Sequence, residues 1–441
     1  ADETTLTLTG TSLVENTSLF HGGAIFAAES SVSIETSDAI IGNEATYGAG
    51  GALRIEDAES FTLTDSLVEM NRAWTFGGAL SVQEIESTTI SGVEFNDNAL
   101  FFSEGGGGAV AGRDSSISVA STTFSENTSA GQGGGLFVVD STVDLAGVEF
   151  RSNETAGQGG AWFQLNESAT CSGCELTRNT SSDDGGAIWS SADEFVLTDS
   201  DFAWNETTGG NGGGLFFSGS SLQVERVVFA RNYGMTGGGV YSNALTQFSS
   251  EFSVYQENES VFSAGGLWSG GESTPTVTIR NNDLLANECL AADGVAQLLI
   301  DSMGADVRNN IIAYGRNGAG LGVETGGGGA LLAYNDVYEN EGGNYQGTDD
   351  PTGEDGNLSV DPLLVELSID RNFLNDNLYL RVESPLVGAG SPELTTADGR
   401  AAFIGAFDRI DFEDTDDDDD GFTVIIGEDC DDGDPDKGES H

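Results

Sequence analysis

The chain is poor in positive charge. Of its 441 residues, 15 are Lys or Arg and 73 are Asp or Glu, Lys437 is the only lysine, and the formal net charge at pH 7 is −58. A surface of this charge repels both nucleic acid and an anionic membrane, so we expect neither as a partner. Self-repulsion on this scale also destabilises a compact fold, so we expect cations from a saline habitat or from millimolar calcium to screen it.

Membrane-spanning and helical patterns are missing as well. No run of about 18 apolar residues occurs, so the sequence predicts no transmembrane helix. The repetitive part of the chain offers no amphipathic helix with caps, which disfavours helical repeats. The chain begins Ala1-Asp2-Glu3. That start fits an intracellular protein or a secreted one already processed.

Cysteine is scarce, with four in the chain. Cys171 and Cys174 have the spacing of a metal, redox or disulfide pair, but a single pair is weak evidence for zinc. A disulfide between them is the favoured interpretation for a secreted protein. Cys289 and Cys430 cannot be assigned partners from the sequence.

What the chain has in abundance is one repeated phrase: an apolar residue, two spacers, an Asn, a short gap and then Gly-Gly-(Ala/Gly)-apolar. The step from one Asn to the next is 26 to 29 residues. The repeat asparagines are Asn16, Asn43, Asn71, Asn98, Asn127, Asn153, Asn179, Asn205, Asn232 and Asn258.

This period predicts a parallel β-helix. Segments between the glycines and the next Asn alternate in polarity, as in residues 31–35, and a period of two indicates half-buried strands. A propeller blade needs four strands in roughly 40 to 45 residues, which is more than each unit can hold. Stacked coils remain, and they predict roughly 15 coils in a rod on the order of 70 Å long.

The repeat residues have structural roles in such a coil. Equivalent asparagines lie above one another and are expected to form an amide ladder. The apolar residue three positions earlier is expected to stack in the core, and the glycines permit positive φ and close backbone approach at a corner. We therefore expect these residues to build the coil rather than to bind a ligand.

A family resemblance rests on this phrase. Phe124-x-x-Asn127 followed by Gly133-Gly134-Gly135-Leu136 resembles the repeats of polymorphic outer membrane proteins, which implies a right-handed parallel β-helix of the pectin-lyase-like kind on a bacterial surface. Residues 277–410 resemble a second type of right-handed β-helix repeat with its usual closing coils. The predicted organisation is residues 1–276 with regular repeats, 277–410 with the second type, and 411–441 as an acidic tail.

The tail carries the candidate metal site. Asp416, Asp418 and Asp420 precede Gly421, and alternate carboxylates before a Gly turn suit a calcium loop. The tail also resembles an Asp-rich metal-binding motif of secreted bacterial proteins and the thrombospondin type 3 repeats. The predicted calcium ligands are Asp414, Asp416, Asp418, Asp420, Glu428, Asp429, Asp431 and Asp434. The competing interpretation is a disordered acidic run.

Together these features predict a secreted or cell-surface structural or adhesive β-solenoid stabilised by calcium, with head-to-tail assembly into an extracellular filament as its more specific form. Its partner is then a second copy or a surface glycan or protein. The alternative is a polysaccharide-binding or polysaccharide-degrading β-helix. A lyase site needs a cationic base, which two histidines and one lysine supply poorly, so the sequence leans against an enzyme. The aromatic residues considered for a glycan-binding face are Trp74, Trp162, Trp189, Trp204 and Trp268.

Overall fold

A computed structural model describes residues 4–36, 39–270, 275–324, 329–368, 373–394, 402–407 and 410–411. Regular structure in these residues is β-strand, apart from one 3-10 turn at Phe373–Asn375. The chain forms an all-β parallel solenoid of about 12 turns. The predicted fold class is confirmed.

Each complete coil contributes strands to four rows. Two strands bend through the first and second rows, Leu53–Thr64 and Leu80–Ser91, and two bend through the second and third, Glu194–Ala203 and Ser221–Ala230. The first row follows the glycine cluster and otherwise contains Ile25–Ala28, Val110–Arg113, Leu136–Val139, Trp162–Leu165, Ile188–Ser191, Leu215–Phe217, Val240–Ser242, Leu267–Gly270, Val295–Asp301, Ala319–Val323 and Tyr345–Gln346. The second row otherwise contains Thr4–Thr9, Ser30–Glu35, Ser116–Ala120, Thr142–Ala146, Ser168–Ser172, Gln247–Glu251, Thr276–Arg280, Asp306–Arg308 and Leu331–Ala333.

The third and fourth rows flank the repeat Asn. The third row precedes it and otherwise contains Ser12–Val14, Ala39–Ile41, Leu67–Glu69, Glu94–Asn96, Thr123–Ser125, Glu149–Arg151, Glu175–Thr177, Val254–Gln256, Asp283–Leu285, Ile311–Ala313 and Asp336–Tyr338. The fourth row follows it and contains Thr17–Ser18, Glu44–Ala45, Arg72–Ala73, Ala99–Leu100, Thr128–Ser129, Glu154–Thr155, Thr180–Ser181, Glu206–Thr207, Tyr233–Thr236, Glu259–Ser263 and Glu288–Cys289.

Neighbouring coils pair in parallel and in register. The first three rows join in one 35-stranded sheet, and the fourth row is a separate 11-stranded sheet. In the third row Phe95 pairs with Phe124, and Phe124 pairs with Phe150. A constant register places equivalent residues of successive coils in one column, so every repeat position becomes a line along the rod.

The core is built from such columns. The rings of Phe95, Phe124 and Phe150 are fully buried and stack with centroids 4.9 and 4.8 Å apart. Full burial of a Phe side chain contributes about 1.5–3 kcal/mol. Because each coil shares its interior with two neighbours, one continuous core runs from Val32 to Val337.

The solenoid is shorter than the sequence suggested, with about 12 turns in place of the roughly 15 predicted. The reason is a segment that we call the return segment, residues 360–368, 373–394 and 402–407. The last bridge between coils joins Asp336 to Leu358. Beyond it the chain turns back along the outside of the third row instead of adding closing coils.

The return segment has its own apolar contacts and its own small sheet. Leu364–Glu366 pairs antiparallel with Asn377–Arg381, which pairs with Ile410–Asp411. Its buried side chains pack on outward-facing residues of the third row, and the cluster contains Val254, Leu285, Ile311, Ala313, Leu364, Leu378, Leu380, Leu386, Phe403, Ile404 and Ala406. The expected closing coils of residues 277–410 are therefore partly an outer layer on the rod.

Candidate functional site

The ten repeat asparagines form one hydrogen-bonded column between the third and fourth rows. Asn153 shows the pattern: its Nδ2 donates to Oδ1 of Asn179 (3.0 Å) and to the carbonyl oxygen of Phe124 (2.8 Å). Its Oδ1 accepts from the backbone N (3.1 Å) and Nδ2 (2.9 Å) of Asn127. Asn16 is exposed at the first coil, and the other nine are fully buried. A buried amide with both hydrogens and both lone pairs used has no capacity left for a ligand.

The column extends further than the sequence phrase suggested. Asn258 Nδ2 donates to Oδ1 of Asn287 at 2.9 Å, and Asn287 in turn donates to Gln297 Oε1. The signal was present, because Leu284 stands three residues before Asn287. It was missed because no Gly-Gly-Ala follows.

A second asparagine column occupies the corner between the second and third rows. Asn282, Asn310, Asn335 and Asn357 are linked by Nδ2-to-Oδ1 hydrogen bonds of 3.0, 2.9 and 3.3 Å. Earlier coils use hydroxyl groups at this corner. For example, Ser200 Oγ accepts the backbone N–H of Cys174 at 2.9 Å. The second repeat type therefore adds an amide ladder at this corner, and the first ladder still reaches Asn287 in the same coil as Asn282.

The glycine cluster is required by geometry at two positions. The first glycine has positive φ, as at Gly77 (60°), and an added Cβ on the second, Gly78, would lie 1.9 Å from the carbonyl oxygen of Gly108. The residue before each ladder Asn is also left-handed and usually not glycine, for example Glu126 at 56°. Each such residue costs roughly 1–2 kcal/mol, so the ladder holds strained corners in place.

An aromatic stripe, which the sequence analysis did not predict, lies along the outside of the first row. It consists of Phe137, Phe163, Trp189, Phe216, Tyr241 and Trp268. Successive ring centroids are 5.2, 4.5, 6.2, 5.2 and 4.2 Å apart, with interplanar angles of 13° or less. Each inner ring therefore has both faces covered by its neighbours, and only ring edges remain for a partner.

The other tryptophans are dispersed. Trp162 is fully buried in the core, and Trp204 packs on Phe373 of the return segment with centroids 5.0 Å apart. Trp74 is 43% exposed beside Phe102. The five tryptophans considered for a glycan-binding face thus do not share one.

The cysteine pair lies inside the coil. Cys171 and Cys174 form a disulfide, and both residues are buried. Cys289 is a buried free thiol whose pKa is raised by burial. Cys430 lies outside the described residues.

The predicted calcium ligands, Asp414 to Asp434, all lie outside the described residues. Across the residues that the structure does describe, no three His, Cys, Asp or Glu side chains converge as a metal site would require.

Two neighbouring carboxyl groups, Asp183 and Asp184, stand directly before the glycine cluster Gly185-Gly186. Burial raises the pKa of Asp184, and the backbone N–H of Asn211, which donates to its carboxylate at 2.7 Å, opposes that rise.

Within the described part of the chain, the structure contains no helix with the length and apolar character of a membrane span.

A family model of known proteins matches part of the chain. The family model for the Chlamydia polymorphic membrane protein repeat matches residues 121–139. This stretch contains Phe124, Asn127 and the glycines that begin at Gly133, so it includes a third-row core residue, a ladder Asn and a glycine corner. No curated protein matches the chain.

Proposed function

We propose that this chain is a bacterial surface-displayed rod with a structural or adhesive role. The main observation in support is that the residues repeated in every coil all have structural roles. The ladder amides are saturated with hydrogen bonds, the repeat aromatic rings are buried, and the second glycine of each cluster leaves no room for a side chain. Repetition here produces length and rigidity.

The surface location is supported by the repeat that matches at residues 121–139, since that repeat is described from polymorphic membrane proteins. The composition agrees with this proposal. A net charge of −58 keeps a long β-rod soluble and opposes lateral association of its sheets. Recognition by such a rod is expected on its loops and outer rows.

The polysaccharide alternative has less support. A sugar ring packs on an open aromatic face, whereas the rings of the aromatic stripe cover one another. Trp74 is the most exposed of the tryptophans in the described residues, and it stands apart from that stripe. Fold alone does not argue for an enzyme.

Two parallel measurements test the proposal. Small-angle scattering is expected to show a rod whose solenoid is roughly 55–60 Å long, from about 12 turns spaced about 4.8 Å apart. The purified chain is expected to leave a panel of uronate-containing and neutral polysaccharides intact, and antibody is expected to label intact source cells. Cleavage of any polysaccharide, or labelling only after lysis, would overturn the proposal.

Calcium binding by the tail is a finer part of the same proposal and is supported by the D-x-D-x-D-G spacing alone. Calorimetry of the full chain with calcium is expected to show binding that the triple variant Asp416→Asn, Asp418→Asn, Asp420→Asn loses. The matched control is Asp349→Asn with Asp350→Asn, which removes exposed carboxylates elsewhere. Equal binding by both variants would exclude the tail as the site.

The filament is the other finer part. The second ladder closes before a further coil could join, since Asn357 Nδ2 donates to the carbonyl oxygens of Leu332 (2.8 Å) and Glu354 (3.0 Å). At the first corner Asn340 Nδ2 donates to Asn344 Oδ1 (3.2 Å), and Asn344 Nδ2 donates to Ser359 Oγ (3.0 Å). A head-to-tail joint would therefore need the calcium tail rather than a continued ladder. Negative-stain microscopy with calcium and then with chelator decides this, since rods of monomer length in both conditions exclude a filament.

A further inference from the structure

The return segment is held to the solenoid by polar contacts and by an apolar cluster. Asn309 accepts the backbone N–H of Ser391 (2.8 Å) on its Oδ1 and that of Gly405 (2.7 Å) on its carbonyl oxygen. Arg308 forms an ion pair with Glu393 at 2.6 Å. Around these polar contacts lies the apolar cluster formed with the third row. Removal of the segment would uncover that apolar surface.

Asp283 lies beneath this layer and is 1% exposed. Its Oδ1 accepts the N–H of Ala406 at 2.9 Å. Its neighbours on the third row are Val254 and Ile311, and Gly405 approaches from the return segment. All of these neighbours are uncharged. Burial raises the pKa of Asp283 to about 7, and the Ala406 N–H opposes that rise.

Asp336 occupies the same column two coils further along, since Asp283 pairs with Ile311 and Ile311 with Asp336. It is fully buried, its Oδ1 accepts the N–H of Val360 at 2.9 Å, and its Oδ2 has no hydrogen-bond partner among the residues that the structure describes. Burial raises its pKa to about 7, and the Val360 N–H opposes the rise.

The titratable groups around Asp336 lie on its own strand (Tyr338), on the strand Tyr345–Gln346 (Tyr345), just after the strand Ile311–Ala313 (Tyr314) and in the return segment (Asp361). Asp361 raises the pKa of Asp336 further, and the Tyr314 hydroxyl donates to Asp361 at 3.3 Å. A hydrogen bond to Glu339 is the main cause that raises the pKa of Tyr338, and burial is the main cause that raises the pKa of Tyr345; the carboxylate of Asp336 adds a smaller contribution in the same direction to both. No cationic side chain appears among these groups, within the residues that the structure describes, so a charged Asp336 would be uncompensated.

We propose that the return segment is a proton-dependent clasp, docked on the third row while Asp283 and Asp336 are neutral and released when both are ionised. Undocking opens a path for water to each carboxylate, so the ionised form favours the undocked state. This device goes beyond the proposed rod function and does not depend on it. Its effect would be to join or separate the C-terminal part of the chain and the rod according to the acidity of the surroundings.

The direction of the pH effect on docking follows from the difference between the docked and the solvated pKa values of the two acids. Both acids have a higher pKa docked than in a solvated state, so docking is strongest below the solvated value near pH 4 and weakens as pH rises through about 7. Above that range no further loss is expected. Each carboxyl can change the docking equilibrium by up to about tenfold per pH unit inside this window.

Hydrogen exchange read by mass spectrometry tests the clasp on the full chain. Peptides containing Val360 and Ala406 are followed at pH 5 and pH 8 after correction for intrinsic rates, with peptides around buried Phe124 as the internal reference. We expect the return-segment peptides to lose protection by at least about tenfold at pH 8, while the reference peptides do not. An equal response of both sets, or none, would overturn the proposal.

Variants separate the two carboxyls from general charge effects. The double variant Asp283→Asn, Asp336→Asn keeps the side-chain shape without the charge, and we expect it to stay protected at both pH values. Glu366→Gln, an exposed carboxyl on the same segment, is expected to respond as the parent chain does. Raised salt screens long-range repulsion but not burial, so the pH response is expected to persist in it. A double variant that still loses protection, or a response that salt abolishes, would contradict the clasp.

Discussion

Replacement of one ladder residue, Asn153→Ala, is the most direct test of how the rod is held together. The change removes four buried hydrogen bonds: those from Nδ2 to Phe124 and Asn179, and the two that Oδ1 accepts from Asn127. The carbonyl oxygen of Phe124 and the N–H of Asn127 are left in a dry interior. The backbone pairing of the flanking strands is not touched.

The expected loss is large. A buried hydrogen bond contributes about 0.5–1.5 kcal/mol net, so four of them give about 2–6 kcal/mol. Each neighbouring ladder amide loses one of its four side-chain hydrogen bonds, because Asn127 keeps its bonds to Phe95 and Asn98 and Asn179 keeps its bonds to Phe150, Asn205 and the backbone N–H of residue 153. We therefore expect a destabilisation of about 4 kcal/mol.

The control is Asn96→Ala, on an outer strand position two coils away. Asn96 donates to Glu69 at 2.9 Å and accepts from Ser125 at 3.0 Å, and it is only half-buried. Loss of such partly solvated contacts is expected to cost under about 1 kcal/mol. Guanidinium unfolding followed by the fluorescence of buried Trp162, which belongs to the coil of Asn153, reports both variants. Equal shifts of the midpoint for the two variants would refute the ladder argument.

Three further perturbations have defined outcomes. Gly78→Ala places a methyl group 1.9 Å from a carbonyl oxygen of the next coil and is expected to prevent folding. Gly147→Ala, where nothing lies within 4 Å of the added methyl group, is expected to cost only about 1–2 kcal/mol of left-handed strain. Circular dichroism and thermal melts distinguish the two variants. Glu126→Gly relieves a left-handed residue at φ 56° and is expected to raise the unfolding free energy by about 0.5–1 kcal/mol in a denaturant titration, so a lower midpoint would contradict the strain argument. Reduction of Cys171–Cys174 opens a loop of only three-residue separation and is expected to lower the free energy of unfolding by about 2 kcal/mol or less. The denaturation midpoint with and without reductant measures this loss. A larger loss would mean that the disulfide acts through core packing rather than chain entropy.

The repeat fold could be predicted because the same residues recur at one period. Phe124, Asn127 and Gly134 each have a single physical requirement, and their repetition fixes the register of every coil before any contact is known. Asn287 belongs to the ladder but was not predicted from the sequence. It keeps the apolar-x-x-Asn spacing, but the glycines that complete the repeat do not follow it.

The outer features could not be predicted in this way. The aromatic stripe depends on the register between coils, since Phe163 and Trp189 meet only because the first-row strands pair residue for residue. The return segment depends on contacts between residues far apart in sequence, such as Asn281 with the carbonyl oxygens of Phe403 and Gly405. Neither signal is local, so residues 360–407 looked like closing coils. The position of the acidic tail and its predicted ligands stays a prediction.

The ladder also gives the rod a direction, and this direction bears on how the chain can associate. Between the amides themselves, each Nδ2 donates to the next Asn toward the C-terminus and each Oδ1 accepts from the previous one, as Asn43, Asn71 and Asn98 show. At the C-terminal end the second ladder has no amide donor left, because Asn357 Nδ2 donates to the carbonyl oxygens of Leu332 and Glu354. At the first corner Asn344 Nδ2 donates to Ser359 Oγ. A coil added there could not continue the second ladder from Asn357, so growth at that end would forgo an interaction that stabilises the earlier junctions. We therefore expect association at that end to use outer surfaces, and one apolar surface in that region is the third-row surface that the return segment covers.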